Sequence, residues 1–163
     1  MLAQNLFFYA LAAVMTVAAI RVVTSQNIVH AALYLVVVLA GVGGVFILLA
    51  SEFVAVVQIL VYVGAIVVLF LFGIMLTRAP IGRTAKLDND QRGLSAVVAA
   101  FLLVVLGVIL VDAFGGQEIE GAAVQQSGDV GLAIFQDYVV PFEVISVLLL
   151  AALVGAVVVA RRD

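Results

Sequence analysis

Gln58 and Tyr62 stand four residues apart inside an otherwise apolar stretch, Phe53 to Leu76 (FVAVVQILVYVGAIVVLFLFGIML), and carry its only side-chain hydrogen-bonding groups. On a helix, positions i and i+4 share a face, so the amide and the phenol form a short polar stripe. Val63 and Gly64 follow at once, and the glycine leaves the backbone uncovered. At about 1.5 Å per residue the stretch is roughly 36 Å long as a helix, enough to cross a hydrocarbon core of about 30 Å. Tyrosine in membrane proteins is usually found at headgroup level, yet Tyr62 falls near the middle of this run, so it must face protein or water rather than lipid. Two uses are open to such a stripe. Its groups can hold water in a path, or they can bond to a neighbouring helix as structural glue.

The other polar residues favour helix ends. Ser51 and Glu52 read as an N-cap and first-turn acid for the helix containing Gln58, with proton transfer by Glu52 as the alternative. Glu143 follows Pro141 in the way a helix N-terminus is commonly built, and again capping competes with a proton-path role. Asn27 is placed to cap a second helix, with His30 in its first turn, and Asp112 falls at the outer end of another. No Asp, Glu, Lys, Arg or His lies near the centre of any apolar run. Pumps and transporters place such groups there as relays, so this chain does not hold a complete proton path; it can shape or gate one whose carboxylates belong to neighbours.

Composition sets the wider frame. Of 163 residues, 67% are hydrophobic and 10% charged, and the mean hydropathy is +1.39, which excludes an ordinary soluble domain. The absence of cysteine and the single histidine remove iron–sulfur ligation, CxxC haem attachment and bis-histidine haem. With no Gly-rich phosphate loop and no metal-ligand cluster, neither cofactor nor metal is expected in this chain, and independent enzymatic activity is not expected.

The elements that must position these residues are five apolar runs, at about 2–23, 28–50, 53–76, 94–114 and 139–160, each long enough to span a membrane. The expectation is an all-α membrane protein with one integral membrane domain, 1–163, and five transmembrane helices. Very short links make the first three antiparallel neighbours. A basic loop, 77–93, and an acidic loop, 115–137, complete the chain. Threading puts all seven basic residues, Arg21, Arg78, Arg83, Lys86, Arg92, Arg161 and Arg162, on one side with Asp88, Asp90 and Asp163. The opposite side holds Glu52, Asp112, Glu118, Glu120, Asp129, Asp137 and Glu143 and no base. The positive-inside rule then places the C-terminus in the cytoplasm and the N-terminus outside. The first run lacks a basic n-region and is read as a retained helix. Small residues recur at four-residue spacing at Ala40 and Gly44, at Ala152, Ala156 and Ala160, and at Ala151 and Gly155, so these faces permit close helix packing.

Three segments carry a family resemblance: QILVYVGAIVVLFLFGIML from Gln58, NIVHAALYL from Asn27, and LAIFQDYVVPFEVISVLLLAALVGAVVVARR from Leu132. Together they make the chain similar to subunit J (chain 6) of bacterial proton-pumping NADH:quinone oxidoreductase, respiratory complex I. The resemblance implies a core membrane-arm subunit in the bacterial cytoplasmic membrane, in contact with subunits K, A, H and N. It implies no redox centre in this chain, with flavin, iron–sulfur clusters and the quinone site on partners. It also implies a π-bulge around Tyr62, Val63 and Gly64 that relaxes to regular α-helix and gates a water path toward carboxylates of subunit K. Gln58 stands where a relative carries an acid, so a titrating group at that position is not required. Ferredoxin- or F(420)-dependent relatives and membrane-bound hydrogenases share this kind of subunit. A stand-alone small transporter or membrane scaffold is the alternative from another class.

The charge segregation gives a direct test of orientation. A cysteine introduced by Gln125→Cys should react with an impermeant thiol reagent added to intact cells, and one introduced by Asn89→Cys should not. The reverse labelling pattern would invert the topology.

Overall fold

The computed structural model describes residues 2–77, 91–116 and 126–161, all helical or in short links. Most of the basic loop expected at 77–93 and the first part of the acidic loop lie outside the described residues, with Arg78, Arg83, Lys86, Asp88, Asp90, Glu118 and Glu120. Arg162 and Asp163 lie outside them too. The helices are α1 (Leu2–Thr24), α2 (Ile28–Leu48), α3 (Glu52–Val57), a π-helical segment (Gln58–Ile66), α4 (Val67–Leu76), α5 (Arg92–Phe114), α6 (Ser127–Gln136) and α7 (Val139–Ala160). α3, the π segment and α4 are continuous, so five helices are long and apolar enough to cross a membrane, as expected from the sequence.

α2 is the centre of the packed part. Asn27 starts it, its Oδ1 accepting from the backbone N–H of Val29 at 2.9 Å and of His30 at 3.4 Å. α1 packs on one face of α2 and the third span, Glu52–Leu76, on another. The contacts are made where α2 lacks side chains: Met15 of α1 lies in the gap at Gly41, Leu11 reaches Gly44, and Ile59 of the π segment reaches Gly43. Ala18, Ala32, Ala55 and Val67 are the buried hydrophobic residues, all small, and no large side chain is fully enclosed. Close approach over small residues is how helices associate where lipid is as apolar as any side chain. Gln4 Nε2 donates to the Leu48 carbonyl at 3.0 Å, tying the start of α1 to the end of α2.

The other two long helices stand apart. Among the described residues α5 packs against no other helix, and α7 meets only α6, which in turn touches α3. Neither α5 nor α7 has a buried residue.

Three details depart from the expected elements. The stretch read as a loop up to Asp137 contains α6, whose Gly128, Asp129 and Gly131 are poor helix formers. Packing supports it instead: Val130, Ala133 and Ile134 are half-buried, and Phe135 meets Phe142 of α7 edge-on with centroids 5.1 Å apart. α7 begins at Val139, before Pro141, so Glu143 falls just past the first turn and is not a first-turn acid. Pro141 sits within the first turn, where no N–H partner is needed. Ser51 occupies the N-cap position of α3, but its hydroxyl makes no capping bond.

The tight link from α2 to α3 is made by Ala50, which holds φ 55°. Ser51 N–H bonds to the Phe46 carbonyl and Ala50 N–H to that of Ile47, both at 3.0 Å, the paired closure of a Schellman motif. Glycine normally fills this left-handed position, and a Cβ there costs about 1–2 kcal/mol. Ala50→Gly should therefore raise the thermal midpoint of the detergent-solubilised protein, with a net gain of about 1 kcal/mol or less after glycine's greater chain entropy. A lowered midpoint would show that the link is not strained as described.

Candidate functional site

Burial along the third span records where its period changes. Ala55 and Gln58 face α2 and are 3% and 7% exposed, and Val67 is again 3% exposed. Between Gln58 and Val67 every residue is exposed except Val63, which is half-buried. The covered series thus steps by five from Gln58 to Val63, then by four to Val67. An uninterrupted α-helix would have placed Val61 or Tyr62 on the α2 face after Gln58. The π segment inserts one residue into that turn, and the Val67 N–H still reaches back five residues, to the Tyr62 carbonyl.

The stripe expected from four-residue spacing is consequently split. Gln58 points into the bundle and donates its Nε2 hydrogen to the Leu39 carbonyl of α2 at 3.2 Å. Tyr62 turns outward and is 46% exposed. It stands next but one to Gly64, the middle residue of the span, and no hydrogen-bond partner reaches its hydroxyl among the described residues. The hydroxyls of Thr16 on α1 and Ser146 on α7 are instead satisfied by carbonyls of their own helices, at 2.7 and 2.9 Å. A phenol at that depth needs a polar partner from outside the chain.

Gly64 is also exposed, on the other flank of the half-buried Val63. Among the described residues a Cβ built on it would meet only the Ile59 carbonyl of its own helix, at 3.4 Å. Glu52 is exposed at the start of α3, on the rim of a groove of about 470 Å³ floored by Ile47, Ala55, Val56, Ile59 and Leu60. The groove leads from this carboxylate to the first turn of the π segment. Glu143 is not part of the cluster, since α7 makes no contact with the third span.

The structure therefore brings together Gln58, Val63 and α2 on one side of the π segment, and leaves Tyr62 and Gly64 exposed on the two flanks of Val63. Leu39 and Gly43 are the members that sequence reasoning missed. Their signal was the glycine-rich run from Gly41 to Gly44, of which only Gly44 stands at four-residue spacing from Ala40.

Five helices long and apolar enough to cross a membrane, with a π segment in the middle of the third, define a polytopic helical membrane protein. Comparison with known proteins gives the family: residues 18–159 match NADH-ubiquinone/plastoquinone oxidoreductase chain 6, and the chain belongs to it. It is 40% identical to the chloroplastic NAD(P)H-quinone oxidoreductase subunit 6 of Chlorokybus atmophyticus, over 98% of this chain and 84% of that one. It is 39% identical to F(420)H(2) dehydrogenase subunit J of Methanosarcina mazei, over 98% and 92%. Identity to NADH-quinone oxidoreductase subunit J of Escherichia coli is 35%, over 96% and 86%.

Proposed function

We propose that this chain is a membrane-arm subunit of a proton-translocating quinone oxidoreductase, and that its third span couples quinone reduction to proton movement by changing register. The observation carrying this reading is the five-residue step from Gln58 to Val63. Removing the extra residue by relaxation to α-helix would bring Tyr62 toward α2 and rotate the remainder of the span by about 100°, one residue of a 3.6-residue turn. Tyr62 would then leave the outward face, where its hydroxyl is open to water or to a neighbouring subunit's carboxylate. Such a change opens or closes a path without any titrating group at mid-span in this chain.

The two registers are close in energy for a physical reason. In water, exposing Val67 would cost about 1.5–3 kcal/mol, but in hydrocarbon the hydrophobic term vanishes and only packing contacts are exchanged. Every backbone N–H keeps a carbonyl partner, four or five residues back, in either register.

On this reading the N-terminus is outside and the C-terminus cytoplasmic, in the bacterial cytoplasmic membrane. The unpartnered α5 and α7 pack against other subunits, with K, A, H and N as neighbours. The chain itself holds no redox group. The 39% identity to an F(420)H(2) dehydrogenase subunit supports a second reading in the same class, in which the donor is not NADH, because the electron-input module lies on other chains.

Gly64→Leu should leave assembly and donor oxidation by the peripheral module intact while lowering quinone-linked turnover and proton translocation together. A bias of ~1 kcal/mol between registers corresponds to about fivefold in both. Tyr62→Phe keeps the ring and should be milder, reducing pumping through loss of a water held by the hydroxyl. Both are measured in membranes with verified assembly. Wild-type pumping in an assembled Gly64→Leu complex would return the π segment to a packing role.

The purified chain should show no absorbance beyond the protein band. A stoichiometric flavin, haem or iron–sulfur spectrum would overturn its assignment as a redox-silent subunit.

A further inference from the structure

If the third span changes register, some point on it must hold still, and the packing marks where. The π segment begins at Gln58, and this first residue is its only buried one. Its amide crosses to α2 and donates to the Leu39 carbonyl at 3.2 Å. Its Cγ and the end of the Ile59 side chain lie over Gly43: a Cβ built there would stand 3.7 Å from the first and 2.8 Å from the second. Gly43 is itself buried, one of three residues of α2 that are. A side chain at 43 would have to displace the end of the Ile59 side chain and would lie in contact with Gln58.

Nothing comparable holds the remainder of the segment. From Ile59 to Ile66 Val63 is the only residue covered even in part, and its side chain has no hydrogen-bonding group with which to specify one register. An interhelical hydrogen bond in hydrocarbon is directional, and it has no water to replace it if broken.

We propose that Gln58 is a positioning residue. Its amide, seated beside Gly43 and bonded to Leu39, clasps the start of the π segment to α2, so that register changes occur beyond it and carry Tyr62 through a defined arc. The inference rests on the reading that the third span is the coupling element. Without the clasp the added residue can be relieved toward α3 instead, and Tyr62 no longer moves in step with the rest of the machine.

The test is replacement of the hydrogen bond by a covalent one. The chain has no cysteine, so an introduced pair is its only pair. Gly43→Cys with Ile59→Cys places two thiols at the clasp, and Ile59→Cys removes the side-chain end that a Cβ at 43 would strike. Gln58→Leu alone, in assembled complexes, should lower quinone-linked turnover and pumping by roughly three- to tenfold, the range of one interhelical hydrogen bond. Adding the cysteine pair to Gln58→Leu and oxidising it should restore both; reduction should return them to the lowered level. A side chain that matters only for packing would not respond to the redox state of a neighbouring pair. Wild-type pumping in assembled Gln58→Leu would overturn the proposal, and so would a loss that the oxidised pair, confirmed by mass spectrometry of the cross-linked peptide, fails to reverse. Should Gly43→Cys prevent assembly, Leu39→Cys with Gln58→Cys bonds the same two positions directly, and oxidised activity against reduced loss is the same criterion. Failure of the coupling reading itself is seen separately, as unimpaired pumping in Gly64→Leu.

Discussion

A polypeptide in hydrocarbon must satisfy its backbone N–H and C=O groups from within, and this constraint governs every feature of the chain. It leaves the helix as the available element for each span and makes hydroxyl side chains fold back on their own carbonyls, as Thr16 and Ser146 do. It also fixes how irregularity can enter. A break in a span would orphan donors and acceptors at a cost of several kcal/mol each. A π segment avoids most of that cost: it lengthens the hydrogen-bonded ring by one residue, keeps every N–H paired, skips a single carbonyl where the α pattern resumes, and turns the face of the next turn. Gln58 to Ile66 is therefore a way to alter direction inside the membrane while exposing little polar backbone.

The same solvent sets the strength of the packing. Within the described part, α1, α2 and the third span meet over glycines and alanines, and no large side chain is enclosed. Burial of apolar area drives nothing between helices already in lipid, so specificity falls to close approach and to a few hydrogen bonds. Two such bonds tie helices together here, Gln4 to Leu48 and Gln58 to Leu39, and both involve carbonyls of α2. α2 is consequently the reference frame of the subunit. Among the described residues α5 and α7 have no such tie to it, and their apolar faces are exposed.

Much of this was legible in the sequence because hydrocarbon imposes a crude rule: long apolar runs are spans. The five long helices follow from that rule, and the Asn27 cap from the short polar link before α2. α6 was not legible, since Gly128 and Gly131 argue against a helix and its support comes from α3 and from Phe142, both remote from its own residues. The split of Gln58 from Tyr62 was not legible from spacing either. Four-residue spacing implies a common face only while the period is 3.6, and no single residue between them announces the inserted one. Family resemblance supplied the location, at Tyr62 to Gly64, where periodicity alone was silent.

Gly64 illustrates why residue type and role need separate arguments. A mid-span glycine suggests a notch for a neighbouring helix, and in α2 that is what Gly41, Gly43 and Gly44 are, each filled by a side chain from an adjoining helix. Gly64 is filled by nothing from this chain, and the nearest atom to its missing Cβ is the carbonyl of Ile59 in its own π turn. Its surroundings thus point away from packing among the described helices. A side chain there would cover backbone of the π turn that is open on the outside of the described bundle. The fold holds Gln58 fast on one side of the segment and leaves Tyr62 and Gly64 uncovered, and that asymmetry is what the proposed change of register would act on.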